Sequence, residues 1–160
     1  IFIDNNSLIS PYTFFDAREY RSWSYYFLEN FNKAYDDAKY LINKKPNSID
    51  YLYLKGMINN GLEDYEEAIN DFSSIISKEP NEGSRYVDRA RAKYYAGNYS
   101  QAAGDLTKAI KLDTKNHTAY NIRGLCFINM GKTEKGCKDL EKASLHGNDY
   151  ADENIRNFCR

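Results

Sequence analysis

The sequence predicts an all-α fold, a right-handed α-solenoid of antiparallel helix pairs, and the first evidence is an internal repeat. Segments that start at residues 63, 97 and 131 align without gaps, and a weaker copy starts at residue 29. Because these starts are 34 residues apart, the chain divides into four units, 15–48, 49–82, 83–116 and 117–150. A unit of this length cannot bury an apolar face alone, so neighbouring units are expected to stack around one core.

The second observation is that small residues recur at two places in every unit. The eighth position holds Ser22, Gly56, Ala90 and Gly124, and the twentieth holds Ala34, Ala68, Ala102 and Gly136. Small side chains let two helices approach closely where they cross. From the twentieth position onward, apolar residues follow the spacing of one helix face, so each unit is predicted to be a pair of packed helices.

A short polar or glycine-bearing turn is expected between the helices of each pair. The predicted helices are 15–28 and 31–44, 49–61 and 65–78, 83–96 and 99–112, and 117–130 and 133–146. A last helix at about 149–159 is expected to cap the array, with Ala151, Ile155 and Phe158 against the final pair. Residues 1–14 match no preceding helix, so we predict an extended arm there, ahead of a repeat domain that spans 15–160.

The motif residues of the second unit are typical of a known family. They are Leu52, Gly56, Tyr65, Ala68, Phe72 and Pro80. The array resembles the tetratricopeptide repeat family, whose pattern places Trp-x2-Leu-Gly-x2-Tyr before Ala-x3-Phe and Pro, and the resemblance extends over 15–150. Lys55, Arg89 and Arg123 depart from it, because they stand where the family usually has Leu.

The resemblance implies that the first helix of each pair lines a concave groove that binds a peptide or helix of another protein. The residues at the implied groove positions are Trp23, Tyr26, Phe27, Tyr53, Met57, Asn60, Val87, Arg91, Tyr94, Tyr95, Asn121, Leu125, Ile128 and Asn129. The alternative for the rings of the first unit is that they pack against the N-terminal arm or the next repeat. The positions that form the cationic carboxylate clamp of co-chaperone members hold no such cluster here, so that binding mode is not expected.

Composition and motifs exclude several other functions. The net charge of -1 argues against a domain that binds nucleic acid through bulk charge. No HExxH, paired CxxC, glycine-rich phosphate loop or GxSxG occurs, and His117 and His146 fall near predicted helix ends. We therefore expect no enzyme, no cofactor and no metal. No apolar run approaches the roughly 20 residues of a membrane helix.

Two interpretations remain open for the three cysteines, Cys126, Cys137 and Cys159. Each stands where other units have small or apolar residues, so the leading interpretation is a buried free thiol. The rival is a Cys137–Cys159 disulfide that fastens the cap to the array and requires an oxidising compartment. Because the chain opens on Ile1, we expect a fragment or processed form, with a cytoplasmic setting favoured and an exported one left open.

The leading functional hypothesis is an adaptor or scaffold that holds a segment of a partner protein in its aromatic groove. The second hypothesis is a structural module that self-associates, either end to end or with residues 1–14 of a neighbour in the groove. The third is binding of single-stranded RNA by stacking on Tyr94 and Tyr95 beside Arg91, against which the charge balance speaks.

Overall fold

The protein is described from a computed structural model over residues 11–159, and within that range its regular structure consists of nine α-helices. The helices are α1 (Pro11–Phe27), α2 (Phe31–Lys44), α3 (Ile49–Gly61), α4 (Tyr65–Lys78), α5 (Gly83–Tyr95), α6 (Tyr99–Leu112), α7 (His117–Asn129), α8 (Thr133–Leu145) and α9 (Ala151–Phe158). The all-α prediction is confirmed.

The starts of the helices keep the spacing of the repeat. Helices α3, α5 and α7 begin at Ile49, Gly83 and His117, and α2, α4, α6 and α8 begin at intervals of the same length. The predicted pairs beyond α1 agree with the observed helices to within one residue at each end. The agreement is close because the turns are encoded locally, by glycine, asparagine and proline at fixed places.

Helix α1 corrects the prediction for the first residues. It begins at Pro11, so the last four residues of the expected extended arm are helical, and residues 1–10 of that arm lie outside the described part of the chain. Proline suits the first turn of a helix, because the N–H that it lacks would have no partner there. The cap α9 begins at Ala151, two residues later than expected.

The helices form two compact units, one that ends at Asp64 and one that begins at Tyr65. The core of the first consists of Ala34, Ala38 and Leu41 of α2 with Tyr51, Leu54 and Ile58 of α3. The core of the second includes Val87, Ala90, Leu106, Ala109, Tyr120, Cys126 and Phe127, and Ala151 of α9 is buried in it. The cap thus covers apolar surface of the last hairpin, as such an array requires at its end.

Arginine–aspartate pairs join the two helices of a hairpin at the same place in three repeats. The paired residues, with their two hydrogen-bond lengths, are Arg21 and Asp37 (2.6 and 2.7 Å), Arg89 and Asp105 (2.7 and 2.8 Å), and Arg123 and Asp139 (2.7 and 2.9 Å). Arg123 also reaches the hydroxyl of Thr107 on α6 at 3.1 Å. Arg123, one of the residues that depart from the family pattern, therefore connects α7 to both neighbouring helices.

Candidate functional site

A cavity of about 430 Å³ opens on the surface of the second unit, where α5, α7 and the turn before α9 meet. We call it the α5–α7 cavity. Its lining residues are Arg91, Tyr94 and Tyr95 of α5, His117, Thr118, Asn121, Ile122 and Leu125 of α7, and Gly147, Asn148, Asp149 and Tyr150 of the turn. A cavity of this size falls in the range of sites that bind small molecules or a few side chains.

One wall of the α5–α7 cavity is a chain of tyrosine rings. Tyr94 meets Tyr95 and Tyr99 edge to face, with ring centroids 5.6 and 5.4 Å apart. Tyr95 stacks on Tyr65 at 5.9 Å and is still 57% exposed. Asn129 donates a hydrogen bond of 3.3 Å to the Tyr94 hydroxyl. Because each ring is held by another side chain, the wall is ordered before any ligand arrives, and little side-chain entropy is lost on binding.

The floor of the cavity contains two buried amides. Asn121 is only 8% exposed, and its Oδ1 accepts a hydrogen bond of 2.9 Å from Nδ2 of Asn154 on α9. The Asn148 side chain lies 3.2 Å from Nδ1 of His117 and also accepts a hydrogen bond from the backbone N–H of Tyr150. These contacts fix the turn that forms the third wall, so the cap helix helps to shape the cavity.

Arg91 is the cation of the cavity. Among the residues that the structure describes, it has no hydrogen bond or ion pair, although the charge of Asp88 lies within electrostatic range. Burial raises the pKa of Asp88, while the charges of Arg91 and Arg85 lower it. Asp149 is exposed at the opposite turn. The Arg91 guanidinium is therefore only partly compensated and is accessible to a ligand.

Five of the predicted groove residues line this cavity: Arg91, Tyr94, Tyr95, Asn121 and Leu125. Three others from the second unit do not. Val87 is buried in the core, and Asn129 braces Tyr94 from outside the cavity. Ile128 lies over Gly136 of α8, in the space that a Cβ of residue 136 would occupy. The groove role of Ile128 stays a prediction: its Cγ1 fills the hollow that the missing side chain of Gly136 leaves, and the residue is still partly exposed.

The predicted residues of the first unit form a separate aromatic group. Trp23 stacks on Phe27 at 5.9 Å and meets Tyr26 edge to face, and its ring lies 6.3 Å from that of Tyr53. Trp23 and Tyr26 are partly buried against the core, whereas Phe27 remains exposed. Met57 and Asn60 of α3 are half-buried. Most rings of this group therefore pack against one another and against the core, and Phe27 alone among them leaves most of its surface exposed.

Several cavity residues were not among the predicted groove residues. His117 and Ile122 were missed because they stand at the first and sixth positions of their repeat, to which no groove role was assigned. The turn 147–150 was missed because it follows the helix pair altogether. A sequence signal did exist for the turn. Gly147 has φ +87°, which is the left-handed conformation that lets α8 end and the chain reverse toward α9.

The structure also decides between the two interpretations of the cysteines. Cys137 of α8 and Cys159 at the end of α9 form a disulfide, with an S–S distance of 2.06 Å and a Cα–Cα distance of 5.7 Å. The free-thiol interpretation is therefore wrong for these two residues, because the end of α9 turns back onto α8. Cys126 is a free thiol and is buried in the core.

Two other kinds of site are absent from the described part of the chain. Between residues 11 and 159, no three His, Cys, Asp or Glu side chains come together in a way that could hold a metal ion. In that range, no helix has both the length and the hydropathy needed to cross a membrane.

Comparisons with known proteins agree with the repeat. Residues 49–81 and 117–144 match the family model described as tetratricopeptide repeat. A fragment of MamA, residues 41 to the end, from Desulfovibrio magneticus RS-1 has a TM-score of 0.77 at 14% identity, covering 82% of this chain and 75% of that one. TTC0263, a thermophilic tetratricopeptide protein in Thermus thermophilus, has a TM-score of 0.70 at 16% identity, with coverages of 83% and 74%. Sequence comparison with curated proteins finds no match.

Proposed function

We propose that this chain, a member of the tetratricopeptide repeat family, is a protein-interaction module that binds a peptide segment of a partner in the α5–α7 cavity. Proteins of this family are interaction scaffolds, and the assignment of the binding site to this cavity is our proposal. It rests on one observation: exposed rings, apolar side chains and unpaired hydrogen-bond donors converge on a single preformed surface.

The composition of the cavity favours a peptide over a reactive substrate. Tyr95, Ile122 and Leu125 offer apolar surface, and large rings of this kind carry much of the energy in protein interfaces. The polar groups around them include the side chains of Thr118, Asn121 and Asn148, which suit the backbone of an extended chain. Nδ1 of His117 lies 3.4 Å from the Thr118 hydroxyl and 3.2 Å from the Asn148 side chain, so it adds a further polar group to this wall.

Selection from a phage-displayed library of random peptides tests the proposal, because it needs no knowledge of the natural partner. Enriched peptides are synthesised, and their affinity is measured by fluorescence anisotropy. We expect Tyr95→Ala to weaken binding by about tenfold or more, since truncation of an interface hot spot, a role in which Tyr is enriched, costs about 2 kcal/mol or more. Tyr95 is more than half exposed, so its removal leaves the fold intact.

Leu112→Ala at the end of α6 is the matched control. It removes partly exposed apolar surface outside the described cavities, so the affinity should not change. If the enriched peptides bind Tyr95→Ala as tightly as the wild type, or if no peptide is enriched, the α5–α7 cavity is not a peptide site.

Self-association is the second candidate, and the surface of α1 favours it. Cys126 of α7 is buried in the core of the second unit, and Ile122 is partly buried against that core. The residues at the same repeat positions in α1, Tyr20 and Ser24, are exposed. Phe27 and Leu28 extend this surface, and each is about three-quarters exposed. A helix face that is covered in one repeat and open in another can accept a second copy of the chain.

Analytical ultracentrifugation over a wide concentration range distinguishes the two candidates. Self-association through this face predicts larger species that Tyr20→Glu disperses. A protein that remains monomeric throughout excludes self-association.

Binding of single-stranded RNA is the third hypothesis, and the presence of Arg91, Tyr94 and Tyr95 in one cavity is the observation in its favour. It requires that the protein bind a labelled oligouridylate and that this binding weaken as the salt concentration rises.

A further inference from the structure

We infer that the partner segment bound in the α5–α7 cavity carries an acidic side chain, which Arg91 and Asn121 hold, next to a large apolar residue that packs on Tyr95. This inference rests on the proposed function and specifies the chemistry of the partner. The acid meant here is the side chain of an internal Asp or Glu, not a C-terminal carboxylate.

The first support is the unused donor of Asn121. Its Oδ1 is engaged by Asn154, and among the described residues its Nδ2 has no acceptor, although the side chain is more than nine-tenths buried and lines the cavity. Among the described residues, Nδ2 of Asn121 is not one of the fully buried atoms that lack a partner, so it reaches the open cavity, where it can bond to water or to a ligand. An oxygen of a bound ligand would supply the missing acceptor.

The second support is the state of Arg91. The other arginines near this part of the core, Arg89 and Arg123, each hold a carboxylate through two hydrogen bonds, whereas Arg91 has none among the described residues. A guanidinium presents its donors in a planar fork that matches a carboxylate. The same cavity therefore offers a charged donor and a neutral donor to one anionic group.

Asp88 and Asp149 could neutralise the charge of Arg91 and so leave it unable to bind an acidic side chain, but their positions limit this neutralisation. Asp88 precedes Arg91 by three residues on α5 and interacts electrostatically with both Arg91 and Arg85, so its single charge is shared between two arginines and offsets Arg91 only in part. Asp149 is exposed to solvent, where water and salt screen its charge. Within the part of the chain that the structure describes, neither forms an ion pair with Arg91, so the guanidinium remains accessible to a ligand.

The apolar part of the cavity sets the rest of the motif. Ile122 and Leu125 lie on the same face of α7 as Asn121, and Tyr94 and Tyr95 stand on the facing helix. A peptide whose acid reaches Asn121 therefore places a nearby side chain against these residues. We expect this side chain to be Leu, Ile, Met, Phe or Tyr, one or two positions from the acid.

The library of random peptides described above is the probe. The peptides are displayed as N-terminal fusions and later synthesised with an amidated C-terminus, so that every carboxylate is a side chain. Enriched peptides should share an Asp or Glu beside a large apolar residue. Replacing that acid by its amide should weaken binding by about tenfold or more, because charged hydrogen bonds are roughly twice as strong as neutral ones.

Protein variants then locate the contact. Arg91→Gln should weaken the acidic peptide but not its amide analogue, so that the two changes are not additive. Asn121→Asp keeps an acceptor for Asn154 and places a carboxylate where the donor was, so it should repel the acidic peptide. Arg156→Gln, on the exposed face of α9, is the control of the same type and should leave affinity unchanged.

The two ways in which the experiment can fail are distinct. This inference is wrong, and the proposed function stands, if the enriched peptides need Tyr95 for binding but carry no acid. The same conclusion follows if the acid-to-amide change lowers the affinity equally for Arg91→Gln and for the wild type. If no enriched peptide depends on Tyr95, both are wrong.

Discussion

Gly124 of α7 and Gly136 of α8 cross with no space for a side chain on either residue. A Cβ on Gly136 would lie 2.7 Å from the carbonyl oxygen of Gly124, and a Cβ on Gly124 would lie 2.9 Å from that of Gly136. In α5 and α6 the same positions hold Ala90 and Ala102, both fully buried. The last hairpin therefore packs more closely than the one before it, and its stability depends on these glycines.

Gly136→Ala should destabilise the protein by about 1–3 kcal/mol, because the new methyl group meets backbone atoms that cannot move aside cheaply. Urea denaturation followed by circular dichroism measures the effect. Gly104→Ala in α6 is the control, since nothing lies within 4 Å of the added Cβ. It should instead stabilise the helix by about 0.5–1 kcal/mol. Equal effects of the two substitutions would contradict the close crossing.

Arg123→Met should cost about 2–4 kcal/mol of unfolding free energy, because it leaves the buried carboxylate of Asp139 without its partner. Thermal and urea unfolding report the loss. Lys138→Ala removes the Lys138–Glu134 pair, whose side chains are both mostly exposed, and should have no measurable effect. A stability of Arg123→Met within error of the wild type would show that the hairpin pair contributes nothing.

Glu29→Gly should stabilise the protein. Glu29 has φ +56°, the left-handed conformation, at the repeat position where later units have Gly97 and Gly131. Glycine adopts this conformation without strain, but it also has more freedom in the unfolded chain. The net gain in the free energy of unfolding should therefore be about 0.5–1 kcal/mol. Glu29→Ala keeps the positive φ and should give no such gain, so a similar midpoint of urea denaturation for both variants would argue against backbone strain.

Reduction of the Cys137–Cys159 disulfide should release α9. The bond closes a loop that spans 22 positions of sequence, so its loss should cost about 3 kcal/mol and act mainly on the cap. Hydrogen exchange of residues 151–158 should accelerate after reduction, while exchange in α5 and α6 changes little. Thiol titration of the unfolded, unreduced protein should find one reactive thiol, and three would refute the bridge.

The thiol of Cys126 should be unreactive in the folded protein. Burial raises its pKa from 9.0 to about 12, which lowers the thiolate fraction by roughly a thousandfold at neutral or mildly alkaline pH. Because the folded pKa lies above the unfolded one, this thiol favours the folded state fully below pH 9, and the contribution is lost as the pH rises toward 12. Disulfide-exchange labelling at about pH 8, below both pKa values, should therefore require denaturant, and rapid labelling without it would contradict the burial.

The repeat architecture could be predicted in detail because it is encoded by local patterns. The glycines at 97, 131 and 147 adopt positive φ where the turns were expected, and the small residues at the eighth and twentieth positions are buried in the described helices. These features depend on residues close in sequence, so the repeat spacing was sufficient to locate them.

The site was less predictable, and Asn121 illustrates why. Its repeat position indicated a groove residue, but its hydrogen bond to Asn154 depends on how α9 folds back, which no repeat position specifies. Ile128 had an equally good groove position, and part of its side chain fills the hollow at Gly136. Spacing gives the direction of a side chain around its own helix, but not the neighbour that covers it.

Sequence alone therefore determined the helices, their order and the hairpins they form, because these follow from periodicity and turn chemistry within one repeat. The tertiary structure decided which side chains remain available to a partner, and it brought Cys137 and Cys159 together across 22 positions of sequence. The physical reason is that burial and hydrogen bonding depend on contacts between residues distant in sequence, and only the packing of α9 on the last hairpin creates those contacts here.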